Sequence, residues 1–207
     1  MIDPTLFAAF VVAATILILM PGPIVTLVVA NSLAHGSRTG LATVAGASVG
    51  NAALVAAGAL GLATVLALAA PVFEGVRWAG AAYLVWLGLK SWRDALRSVE
   101  ATANAEPDAV RRGVFWHGLV VAVTNPKTIL FYAAFFPQFV NPALPANPQI
   151  WAMSVTLLAI AVVSDSLYAL LAGRLRPWLA GRARVRHGIT GTLLIGTGIG
   201  LALVRRN

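Results

Sequence analysis

Long uncharged runs dominate the order of residues along this chain. Residues 4–34 and 39–73 carry no charged or imidazole side chain. Runs of that length exceed the roughly 20 apolar residues that take a helix across a bilayer. They predict a first span over about residues 5–30 and a second over about 40–67. A third span runs from about Pro71 to Trp92, with Glu74 and Arg77 one helical turn apart at its start and Lys90 placed to snorkel at its end. The fourth begins after Arg111 and Arg112 and reaches about Val140, the fifth covers Ile150 to Gly173, and the sixth covers Gly188 to Val204. In lipid only helices and closed barrels satisfy their own backbone, and continuous apolar runs of this length give helices.

Composition narrows the classes further. Hydrophobic residues make up 59% of the 207, charged residues only 11%, and the mean hydropathy is +0.83, whereas a soluble domain runs nearer a quarter charged. Soluble enzymes, nucleic-acid modules and disordered scaffolds do not fit that balance. The net charge of +8 resembles a nucleic-acid signal in its sum, but its placement beside apolar runs speaks of membrane topology instead. No nucleic-acid partner is expected; the bilayer is. The absence of cysteine removes disulfide frameworks and thiolate metal sites.

Placement of the basic residues sets an orientation. With the N-terminus outside, 11 Lys and Arg residues fall beside the cytoplasmic ends of the spans and 3 beside the outer ends, with Lys127 inside the membrane. That bias predicts both termini outside a bacterial inner membrane. The first apolar run has no preceding Lys or Arg, carries Asp3 instead, and is too long for a cleavable core, so it is read as retained. The polar stretch 98–112 mixes charge signs, contains Pro107 and reads as a cytoplasmic linker. It divides a single membrane domain into a three-helix repeat at 1–97 and another at 113–207.

The two halves echo one another. Span one is interrupted by Pro21, Gly22 and Pro23, and span four by Asn125, Pro126 and Lys127, about half a chain apart. Each break lies in the first span of its half. Three spans per half is an odd number, so the second half inserts upside down relative to the first. Proline-interrupted segments at matching places in inverted halves point to a midplane transport site. Proline removes an N–H donor and clashes with the preceding turn. The first break should therefore free carbonyls and then restart a helix after Pro23, while Asn125 and Pro126 read as an N-cap and a first helical position. Exposed N–H groups at such restarts attract anions.

Few ionisable residues lie deep in the spans. Lys127 sits at the positive end of its half-helix and needs a negative partner, either a substrate carboxylate or Asp165 in a structural pair. Asp165 is the lone acidic residue deep in a span, and it is expected to carry a coupling proton or to hold a substrate amino group. Tyr168, one turn later, is its expected hydrogen-bond partner. Asn51 is a supporting polar group, expected to make an interhelical hydrogen bond. Gly46 with Gly50 and Gly196 with Gly200 are expected to allow close helix packing. Gly46 to Gly50 also matches G-x-S-x-G around Ser48, but an apolar helix is not the strand-to-helix elbow that a nucleophile needs. No metal shell and no nucleotide-binding loop can be assembled from these residues, so no metal or other cofactor is expected and no enzyme activity.

The segments LMPGP (Leu19–Pro23), WAGAAYLVWLG (Trp78–Gly88) and FWHGLVVAVTNPKTILFYAAFFPQF (Phe115–Phe139) are distinctive together, as are the spaced glycines Gly40, Gly46 and Gly50 and the glycine-rich last span. In these the chain resembles the LysE-type amino-acid exporters, especially the branch exporting threonine, homoserine and related neutral amino acids. The resemblance implies six helices in inverted repeats, export in exchange for protons, and a site around Pro21, Gly22, Pro23, Asn125, Pro126, Lys127 and Asp165. The reading is thus an all-α membrane transporter that moves a small zwitterionic amino acid outward, with a homodimer plausible from its small-residue faces. A divalent-cation exporter of related fold is the alternative.

Overall fold

The computed structural model describes residues 2–59, 70–96, 107–132, 136–179 and 183–203, and among them every regular element is a helix. Helix α1 spans Pro4–Leu19. Asp3 starts it: one carboxylate oxygen accepts from the backbone N–H groups of Thr5 at 2.9 Å and Leu6 at 3.2 Å, the usual service of an N-cap. The other accepts from the Asn141 carboxamide at 2.9 Å, tying the start of α1 to the loop before a distant helix. The Leu6 N–H and then Asn141 hold the Asp3 carboxyl below its ordinary value of 3.8. A depressed folded-state value means that the cap stabilises above the unfolded value and is lost as pH falls through the folded one. Thermal melts should therefore separate wild type from Asp3→Ala near pH 6 and converge as pH drops below 3.8.

The helix stops where the sequence says it must. Met20 turns to an extended conformation (φ −67°, ψ 120°), Pro21 follows, and Gly22 is extended as the N-cap of α2, Pro23–His35. The two axes meet at 48°, and together the pair is long and apolar enough for one broken span. Helix α2 is apolar on nearly all sides, and a helix of that kind belongs in the interior. It is buried from Pro23 to Val28 and packs against four other helices.

Helix α3 covers Ser37–Ala59, α4 Ala70–Leu96, α5 Pro107–Val123 and the short α6 Pro126–Leu130. A wider π turn at residues 131–132 and a 3-10 turn at Phe136–Phe139 lead into α7, Ala146–Leu175, and α8 covers Ala183–Leu203. By length and composition, α3 and α7 each suffice to cross a membrane, and the α1–α2 pair adds a third where its two bent helices count as one span. Helices α4 and α5 carry charges at their starts (Glu74 and Arg77; Arg111 and Arg112), and α8 offers a shorter apolar stretch at Gly188–Thr197. The second span was expected to reach residue 67; residues 60–69 lie outside the described residues, as does the linker from 98 to 106. The rest of the expected linker, from Pro107, is helical and begins α5.

The largest packing surfaces join α4 to α8 and α3 to α5. Glycine makes the second possible. A Cβ on Gly46 would collide with the Phe115 carbonyl, and one on Gly50 would lie 2.8 Å from both Ala122 and the Leu119 carbonyl. The expected close approach is real there. At Gly196 it is absent among the described residues: none lies within 4 Å of an added Cβ. Gly46→Ala should therefore cost about 1–3 kcal/mol through a collision with rigid backbone, measured as a lower melting temperature in detergent, while Gly196→Ala leaves the melt in place.

Candidate functional site

The two proline breaks and two long helices converge on one cavity. Gly22, Ile24 and Val25 come from the first break and the start of α2, Asn125, Lys127 and Thr128 from the second. Asn51 of α3 and Asp165 of α7 complete its polar wall. The volume is about 60 Å³, above the roughly 10–15 Å³ that a cavity needs to hold a water.

Chain chemistry explains each position. At the second break Asn125 is the N-cap of α6, its side-chain oxygen accepting from the Lys127 N–H at 3.1 Å with Pro126 first in the helix. At the first break Gly22 caps α2 without a side-chain bond. Its own carbonyl takes the Thr26 N–H at 2.9 Å. The N–H groups of Ile24 and Val25, in the first turn of a mostly buried helix on the cavity wall, therefore have no side-chain cap, the arrangement that favours an anion.

The first break was expected to free backbone carbonyls. Two of them are already taken. The Lys127 ammonium donates to Met20 O at 2.6 Å, and the Tyr168 hydroxyl donates to Leu19 O at 3.0 Å. The negative end of the α1 dipole thus meets a cation carried by the other half of the chain. Tyr168 was expected to serve Asp165; its described bond goes to the break instead, and it does not line the cavity. Asp165 is 6% exposed, lines the same cavity as Lys127 and couples to it electrostatically.

Asn51 departs from expectation as well. It reaches the cavity wall, but its side-chain oxygen is buried with no hydrogen-bond partner among the described residues, so the interhelical bond foreseen for it is not made by that oxygen there. Tyr132 was missed altogether. It follows Lys127 by five residues, which a regular helix turns well away from Lys127's face, but it follows Thr128 by four, and all three residues line the cavity. Ser48 lies within α3 and donates to Val44 O at 2.7 Å, an ordinary helical back-bond. Among the described residues, no group of three or more His, Cys, Asp or Glu could hold a metal ion.

Comparison with known proteins settles the lineage. The family model described as LysE type translocator matches residues 15–205. The chain belongs to the LysE-type translocator family. It is 34% identical to a homoserine/homoserine lactone efflux protein of Salmonella typhimurium over 86% of this chain and 85% of the relative. It is also similar to a leucine efflux protein of Klebsiella pneumoniae, 30% identical over 96% of this chain and 95% of the relative, and to an uncharacterized membrane protein of Pseudomonas aeruginosa, 35% identical over 95% and 94%. No solved structure matches. Apolar helices and efflux-protein relatives together make this LysE-type chain a membrane protein.

Proposed function

We propose that this LysE-type translocator exports a small zwitterionic amino acid from the cytoplasm across a bacterial inner membrane in exchange for protons. One observation carries the reading: a cavity lies where two proline breaks meet, with one ammonium and one carboxylate on its wall. The substrate carboxylate lies against the uncapped N–H groups of Ile24 and Val25, with Lys127 nearby. Its ammonium goes to Asp165, because Tyr168 and Lys127 occupy Leu19 O and Met20 O. Gly22 leaves room for the Lys127 side chain, whose Cδ would be 3.4 Å from an added Cβ.

The architecture proposed with it has six spans in two inverted halves, 1–97 and 113–207, joined through 98–112, with both termini outside. In that reading α1–α2 and α5–α6 are equivalent broken spans. Each restarts on a proline after an extended cap residue, Gly22 in one and Asn125 in the other, as related first helices should.

The test uses cells lacking their own exporters, loaded with dipeptides of threonine, homoserine or leucine. Expression of this chain should speed the appearance of at least one of these amino acids outside. Efflux unchanged for all three overturns the reading.

A further inference from the structure

We infer that Asn51 and Tyr132 form a hydroxyl-recognising subsite, so that this chain selects amino acids with a hydroxyl on the side chain over aliphatic ones of the same skeleton. The inference rests on the export reading above and extends it to specificity. Its basis is a mismatch in hydrogen bonding. The Asn51 side-chain oxygen and the Tyr132 hydroxyl are both buried, neither has a hydrogen-bond partner among the described residues, and both belong to residues lining the cavity. Asn51 is only 7% exposed. Buried polar groups of this kind are usually answered, and a pair left open in one cavity wall calls for a ligand.

The charged poles of a zwitterion do not supply that answer, since the N–H groups of α2 with Lys127 serve one pole and Asp165 serves the other. What remains is an acceptor, Asn51 Oδ1, and a phenol that can donate. A single hydroxyl matches both at once: it donates to the carboxamide oxygen and accepts from the phenol. The Tyr132 ring packs against Phe131 at 6.3 Å and Phe136 at 5.4 Å between centroids, which keeps the phenol beside the cavity. Both polar atoms are shielded from water in the ligand-free wall, so the substrate draws them out by a side-chain adjustment that only a hydroxyl repays. An aliphatic side chain leaves both unpaired, and sites built to bind a hydroxyl reject analogues lacking it strongly.

Homoserine and 2-aminobutyrate share a carbon skeleton and differ by that hydroxyl. The purified full chain in proteoliposomes, preloaded with either amino acid unlabelled, should exchange labelled homoserine at least about ten-fold faster than labelled 2-aminobutyrate. Asn51→Leu and Tyr132→Phe should each lower that ratio about five-fold or more, with measurable exchange of 2-aminobutyrate reporting that the variants are folded and inserted. Equal rates in wild type overturn the subsite and leave the export reading standing, as does a ratio that neither variant moves. No exchange of either amino acid, or of threonine or leucine, overturns the export reading and the subsite with it.

Discussion

Replacing Lys127 with alanine is expected to reduce amino-acid efflux by about 30- to 150-fold while the protein remains in the membrane. Three roles end together. Its ammonium bridges from the second break to Met20 O of the first at 2.6 Å, it lines the cavity, and it is the cation that balances Asp165 there. Losing one member of a paired charge in a buried setting costs more than the pair contributed, about 3–5 kcal/mol in well-packed sites. Lys127 is only half-buried, so about 2–3 kcal/mol is the reasonable scale, which corresponds to a roughly 30- to 150-fold loss. Lys127→Arg should restore part of the activity: it keeps the charge but presents a planar fork where a compact ammonium fits against Gly22.

A double substitution separates the two readings of Lys127. If it merely neutralises Asp165, the Lys127→Ala, Asp165→Asn protein should recover facilitated exchange, because neither charge is left unpaired. If it holds the substrate carboxylate, the double variant stays as poor as Lys127→Ala alone. The second result is expected, since Lys127 already has a hydrogen-bond acceptor in Met20 O and does not depend on Asp165 for one. Efflux at the wild-type rate in Lys127→Ala would return the residue to a dispensable place in the structure.

Much of this site was legible in residue order, for reasons that differ by residue. Pro21 and Pro126 announce themselves, because proline removes a donor wherever it sits; Asn125 as an N-cap followed directly, and its carboxamide makes that bond. Lys127 and Asp165 stood out as rare charges in apolar surroundings, which in lipid demand a partner or a function. Their convergence on one cavity brings two separate helices, α6 and α7, to the same wall, which no local pattern encodes. The occupation of Leu19 O and Met20 O was hidden for the same reason: each bond joins residues more than a hundred positions apart. Tyr132 was hidden because it carries no charge and sits off the Lys127 face of a helical wheel; its place one turn after Thr128, which shares the cavity wall, was the available signal. Glycine spacing predicted contact equally for Gly46 and Gly196, yet only the first faces a neighbouring backbone. Spacing identifies a smooth face and not what lies against it.

Asp165→Asn is expected to uncouple transport from protons. In wild type, Asp165 is 6% exposed, on the cavity wall, facing Lys127 electrostatically. A carboxylate there can bind one cationic occupant at a time, either the substrate ammonium or a proton. Competition for that single group is sufficient for exchange: substrate leaves on one side, a proton takes its place, and the return step carries the proton inward. Asparagine keeps the shape and the hydrogen-bonding oxygen but holds neither a charge nor a transferable proton. Proteoliposomes with an imposed pH gradient should show wild type building an amino-acid gradient and Asp165→Asn building none. Exchange of labelled for unlabelled substrate without a pH gradient should continue in the variant, slowed about ten- to a hundred-fold by the lost charge on the ammonium. The dependence of that exchange on pH should also flatten. A variant that still accumulates substrate against its gradient, with the wild-type response to pH, would remove Asp165 from coupling and leave the proton to be carried elsewhere in the chain.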